Sequence, residues 1–346
     1  FFKKIINKNN IKNFDYLNFN KITILLFVSS VIIFFINYYY KIYQRGFEMD
    51  NNLSFIISNF FKWLIIMGIL SFYALFIYLS LNRNIFPKVL IILSIFSEFI
   101  ISISMLSRGM IFNSSAMLWG LYKSKLGEKN LLFILLSLIL VFFLFIANIK
   151  VVDKLRLDNE LKYNPKINIT NFMNTVNKAN NVTPITTIVS RLHGFEAIMA
   201  VQSLKDKGKT LFLEALREKK NENRISFFDN LKNDNRVSNI ILTSITLPGL
   251  IAFLYYSGSL IFIFISLFLL VLIFNYFEKM ILYFTSNNFI LTSLFSQIVA
   301  YRLWHFGYLP MNSYKLLTTI FLNVILIFII INFVLNKLNN FHSKKD

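Results

Sequence analysis

Leu131–Ile149 reads LLFILLSLILVFFLFIANI, an unbroken apolar run without a charge. A helix rises about 1.5 Å per residue, and roughly 20 apolar residues match the hydrocarbon core of a bilayer. The run is therefore read as a membrane-crossing helix. Seven further apolar runs surround it, at Ile22–Tyr39, Leu53–Leu81, Ile85–Leu106, Met110–Tyr122, Leu247–Phe277, Ile281–Ala300 and Leu316–Leu335. A β-barrel would show short alternating segments, and these are solid blocks. The fold class expected is an all-α polytopic membrane protein with about eight transmembrane helices.

Composition supports that class and removes others. Of 346 residues 56% are hydrophobic and 40 are Phe. The formal charge of +19 invites a nucleic-acid partner, but basic residues also collect in the loops of membrane proteins. Lys, Asn, Ile and Phe are abundant together, as an AT-rich genome would produce, so no nucleic acid is expected. With no Cys, thiolate metal sites and cysteine nucleophiles are excluded. Three His, at 193, 305 and 342, make a His-rich metal site improbable, and no metal or cofactor is expected. The chain begins at Phe1 without the order of a signal peptide, and further helices are expected before it.

Charges set the orientation, because Lys and Arg favour cytoplasmic loops. Lys3, Lys4, Lys8 and Lys12 place the first end inside. Counting alternately puts Arg83, Lys88, Lys123, Lys125, Lys129, Lys279, Lys337, Lys344 and Lys345 inside as well. Met110–Tyr122 is short enough to be a half-helix, but omitting it would move Lys123, Lys125 and Lys129 outside. Pro248 and Gly249 give the long run Leu247–Phe277 a broken or re-entrant start. The expected domains are helices in 1–149, an extracytoplasmic loop in 150–238 and helices in 239–346.

That loop is too long for a plain connection and too polar for lipid. Within it Thr183 caps and Pro184 opens a helix on which Ile188, Leu192, Phe195, Met199 and Leu204 share a face. Such a helix lies on the membrane surface or packs on the bundle. Arg191, His193 and Glu196 ride on it, and Gly194 at its centre costs up to about 1 kcal/mol relative to Ala. A second amphipathic piece follows in KTLFLEALREKK, from Lys209.

The same face receives basic groups from two other places. Arg108 opens the fourth run, and YRLWHFGYLP, Tyr301–Pro310, brings Arg302 and His305. Charges beside apolar helices are expensive and usually serve a purpose. Tyr301, Trp304 and Tyr308 suit an interfacial aromatic belt or a sugar-stacking surface. Inside the membrane, Glu98 is expected to pair with Lys62 or to take part in proton movement.

The order of these features resembles the Wzy-type oligosaccharide repeat-unit polymerases, relatives of the O-antigen ligases. The resemblance rests on Ser107-Arg108 opening a short helix before the loop, and on TLPGLIAFLYYSGSLIFIF, Thr246–Phe264, after it. There Pro248-Gly249, Tyr255-Tyr256 and Gly258 match the family's pattern, and the likeness runs from about Ile85 to the C-terminus. It implies a GT-C-like bundle in the bacterial inner membrane. The activity implied is glycosyl transfer from a polyprenyl diphosphate to the sugar end of another carrier-linked repeat unit. A chain-length regulator and a flippase would be further partners. Arginine suits such a donor, because its guanidinium stays charged and its fork matches phosphate oxygens. Arg108, Arg191 and Arg302 are the candidate diphosphate contacts, and His193, Glu196 and His305 the candidate bases.

Two alternatives stay open. An O-antigen ligase would use the same donor, whereas a lipid-linked oligosaccharide transporter expects charges along a central cavity or paired broken helices. No Asp-x-Asp pair and no P-loop pattern occurs.

Overall fold

The computed structural model describes residues 16–44, 54–163, 196–204, 206–217, 249–285, 287–304 and Asn323. Its regular elements are all helices. They fall into two compact units, one of residues 1–184, 281–295 and 322–346 and one of 185–280 and 296–321.

The first unit opens with α1 (Tyr16–Tyr40) and continues through α2 (Phe55–Trp63), a π turn (Leu64–Gly68) and α3 (Ile69–Asn82). The π turn adds one residue to the helix. Trp63 and Ser71 are eight apart, which at about 100° per residue leaves them roughly 80° out of line. The inserted residue cancels most of that difference. Both then reach Asn323, whose Oδ1 accepts from Trp63 Nε1 at 2.6 Å and whose Nδ2 donates to Ser71 Oγ at 3.1 Å.

A turn at 83–87, with Asn84 at φ +60°, reverses the chain into α4 (Lys88–Ser104). Small polar residues join α4 to α1. Ser30 Oγ donates to Ser97 Oγ at 2.8 Å, and Asn37 Nδ2 to Ser104 Oγ at 3.0 Å. Both pairs are 67 apart in sequence, so α1 and α4 run parallel in register. Serine lets helix backbones approach, and its hydroxyl adds a hydrogen bond where lipid offers none.

α5 (Phe112–Tyr122) returns antiparallel to α4, with Asn113 on Glu98 and Met117 on Ser94. After α6 (Lys125–Lys129), α7 (Leu131–Tyr163) runs parallel to α4. Phe133 meets Phe86 near its start, and Asn148 and Arg156 meet Ser107 and Leu106 near its finish. Lys21, Arg83, Lys88, Lys123 and Lys129 therefore belong to one end of this unit and Arg108 to the other. Lys41, Lys150, Lys154 and Arg156 share the Arg108 end, so basic residues stand at both ends of the unit.

Eleven residues give α5 a length of roughly 17 Å, short of the ~30 Å hydrocarbon core. The turns at 105–111 and 123–130 complete its path between the two ends. Among the described residues four helices are long and apolar enough to cross a membrane: Lys21–Tyr40, Ile56–Asn82, Leu131–Arg156 and Leu260–Tyr283. By length and composition of these helices the chain is a membrane protein, and its described elements are helical. The sequence reading expects eight crossings, and α4 and α5 are shorter than a full span. The boundary expected at 149/150 falls inside α7, which continues without a break to Tyr163.

In the second unit, α8 (Glu196–Gln202) and α9 (Lys209–Leu216) pack on α10 (Gly249–Tyr255). Ala200, Val201, Leu204 and Ala215 bury against Ala252, Phe253 and Tyr256. The described parts of the two amphipathic pieces thus cover α10. The apolar run Leu247–Phe277 is broken as expected: α10 ends in a turn with Gly258 at φ +72°, and α11 (Leu260–Phe284) follows. A side chain at that φ is strained, which explains the glycine. α12 (Phe289–Trp304) begins in the first unit and ends in the second.

Candidate functional site

The site is built on the turn between α4 and α5. α4 stops in a Schellman arrangement: Ser107 N–H donates to Ser102 O at 2.9 Å and Leu106 N–H to Ile103 O at 3.0 Å. The left-handed position of that motif is held by Leu106, at φ +53°, where glycine is usual. A bulky residue there is strained by about 1–2 kcal/mol. Its neighbours must hold it in place, and α7 does so.

Three carbonyls of the turn are gripped from α7. Arg156 donates to Leu106 O through Nε at 3.0 Å and Nη2 at 2.6 Å. Asn148 Nδ2 donates to Ser107 O at 3.0 Å and to Arg108 O at 3.3 Å. Asn148 is fully buried, so a leucine there would strand two acceptors. Asn148→Leu is expected to lower stability by about 2 kcal/mol, and Asn148→Asp by more, since it sets carboxylate oxygens against carbonyl oxygens. Thermal unfolding of the detergent-solubilised protein measures both, and an Asn148→Asp variant as stable as wild type would refute the grip.

With the backbone fixed, the Arg108 side chain reaches Asp153 on α7. Its Nε and Nη2 both donate to Asp153 Oδ1. Arg108 is 27% exposed and Asp153 39%. A pair this accessible is worth about 0–1 kcal/mol, so an arriving anion can exchange for the carboxylate at little cost. Two buried atoms beside the pair, Ser107 Oγ and Asn148 Oδ1, have no hydrogen-bond partner among the described residues. Donating to two carbonyls fixes the Asn148 amide, so its Oδ1 can only accept. The site thus offers an accessible guanidinium and carboxylate at one end of the bundle, while the hydroxyl and the amide oxygen are buried.

Glu98 does not belong to that end. Its Oε1 accepts from Asn113 Nδ2 at 2.9 Å, and no Lys62–Glu98 ion pair occurs among the described residues. The expected pairing fails because Glu98 is buried against α5 and meets Asn113 there.

Of the other residues singled out from the sequence, Glu196 is the first residue of α8, and Tyr301, Arg302 and Trp304 form the last turn of α12. All four belong to the second unit and Arg108 to the first. Arg191, His193, His305 and Tyr308 lie outside the described residues. The structure instead brings Asn148, Asp153 and Arg156 to Arg108. None of these stood out in the sequence. The available signal was spacing: 149, 152, 153 and 156 lie on one helical face if the apolar helix continues past Lys150. Among the described residues no three His, Cys, Asp or Glu side chains cluster as metal ligands. Comparison of the chain with protein-family models, with curated proteins and with solved structures finds no match.

Proposed function

We propose that this chain is a membrane glycosyltransferase that polymerises polyprenyl-diphosphate-linked oligosaccharide repeat units. It would work on the outer face of a bacterial inner membrane, with eight crossings in a GT-C-like bundle. The observation that carries the reading is Arg108, a partly exposed guanidinium on a turn held rigid by Asn148 and Arg156 at the end of an apolar bundle. A lipid diphosphate presents its phosphates at that depth, where the membrane meets water. Its departure as leaving group concentrates negative charge, and a preorganised arginine stabilises such charge more than water does. Arg191 and Arg302 stay candidate diphosphate contacts, and Tyr301, Trp304 and Tyr308 candidate sugar contacts. The Ser107-Arg108 turn and the broken helix at Pro248–Gly258 add the family likeness.

The test is surface glycan length in cells carrying Arg108→Ala, Arg191→Ala or Arg302→Ala, with protein level checked. Single repeat units in place of long chains are expected for each. Normal chain length with lost attachment would make the enzyme a ligase. Glycans unchanged in all three would overturn the transferase reading.

A further inference from the structure

Resting on that reading, we propose that Asp153 is the base of the transfer, taking the proton of the acceptor hydroxyl while Arg108 beside it holds the departing diphosphate. Glycosyl transfer needs an acceptor oxygen that loses its proton as it attacks. The described residue in contact with Arg108 that can take a proton is Asp153.

Two observations favour a chemical role over a structural one. First, the turn is already held without it, because Asn148 and Arg156 grip the carbonyls of residues 106, 107 and 108. A half-exposed ion pair adds little to that hold. Second, both contacts from Arg108 go to Asp153 Oδ1, and Oδ2 receives no hydrogen bond among the described residues. One oxygen is anchored and the other is available to a hydroxyl.

The charged groups around Asp153 are Arg108 from the turn and, on its own helix, Lys150, Lys154 and Arg156. Arg156 is committed to the Leu106 carbonyl. In the step itself, the bond from the anomeric carbon to the phosphate oxygen breaks and its electron pair leaves with the diphosphate. The acceptor oxygen forms the new bond to that carbon, and its proton passes to Asp153 Oδ2. Arg108 exchanges its hold on Asp153 Oδ1 for the diphosphate, which frees the carboxylate to protonate.

The experiment uses the full chain in nanodiscs, with transfer from a polyprenyl-diphosphate glycan and binding of inorganic pyrophosphate measured side by side. Asp153→Asn keeps the shape and an acceptor for Arg108 but cannot take the proton. It should lower kcat at least about 100-fold, in the range that general-base catalysis supplies. Pyrophosphate should bind as tightly or more tightly, because the competing charge is gone. Asp153→Glu should recover part of kcat, with the acid limb of the kcat–pH profile displaced from its wild-type position. Asp153→Asn turning over within about threefold of wild type overturns the proposal, as does loss of turnover and pyrophosphate binding together, which a scaffold role would give. No transfer by wild type, with pyrophosphate unbound, overturns the transferase reading itself.

Discussion

Gly120→Val should destabilise the first unit by at least about 3 kcal/mol, beyond the usual range for one added methylene in a packed core. Gly120 lies near the end of α5, against the start of α12. A Cβ at this position would sit 2.6 Å from Ile290 Cα, 2.6 Å from Phe289 O and 2.8 Å from Ser293 Oγ. Two of those three atoms are backbone and cannot rotate aside. Valine adds two further methyls to the same gap, so the helices must part and expose the surface they share. Close helix approach through glycine is a general route to packing in membranes, where lipid is as apolar as the side chains. The readout is the unfolding temperature in detergent. Gly208→Ala serves as control, because a Cβ there meets nothing within 4 Å. Equal melting of Gly120→Val and wild type would show that α5 and α12 do not approach as described.

Glycine contacts of this kind were invisible in the sequence, whereas the helices themselves were not. The runs Ile22–Tyr39 and Leu131–Ile149 coincide with the apolar parts of α1 and α7, because a helix in hydrocarbon must be apolar throughout and nothing else explains such runs. Leu53–Leu81 was legible as a span but not as a span with a π turn, since that turn is set by where Trp63 and Ser71 must point. The break in Leu247–Phe277 was legible from Pro248-Gly249, although the turn itself falls at 256–259.

The candidate site was half legible for a related reason. Arg108 stood out because a charge beside apolar runs is costly. Asp153 and Arg156 did not, because the charge-rich stretch after Lys150 reads as a solvated connection. The α7 helix carries on through it, and its periodicity returns those two residues to the Arg108 turn. Asn148 was hidden for the opposite reason. It is a single amide inside a greasy run, and only the turn it grips gives it meaning.

Asn113→Leu is the second substitution expected to cost much, again about 3 kcal/mol, and its cost should depend on Glu98. Glu98 and Asn113 are 2% and 3% exposed, and the Asn113 amide donates to the Glu98 carboxyl at 2.9 Å. Leucine matches asparagine in the branching of its heavy atoms but leaves that carboxyl buried with a lost donor. Removing one partner of a buried polar pair exacts the full desolvation penalty of the other, whereas replacing both by apolar groups is close to neutral. Glu98→Leu combined with Asn113→Leu should therefore be more stable than Asn113→Leu alone. In a double-mutant cycle the coupling should reach about 2 kcal/mol, within the range for residues in direct contact. The measurement is again unfolding in detergent, with all four proteins compared at one pH. Strictly additive effects would mean that Asn113 and Glu98 do not act on each other. Strong coupling would identify this pair as the tie that holds the first turn of α5 to α4, a turn and a half beyond Arg108, so that the turn bearing the arginine is braced by α7 on one side and by Glu98 on the other.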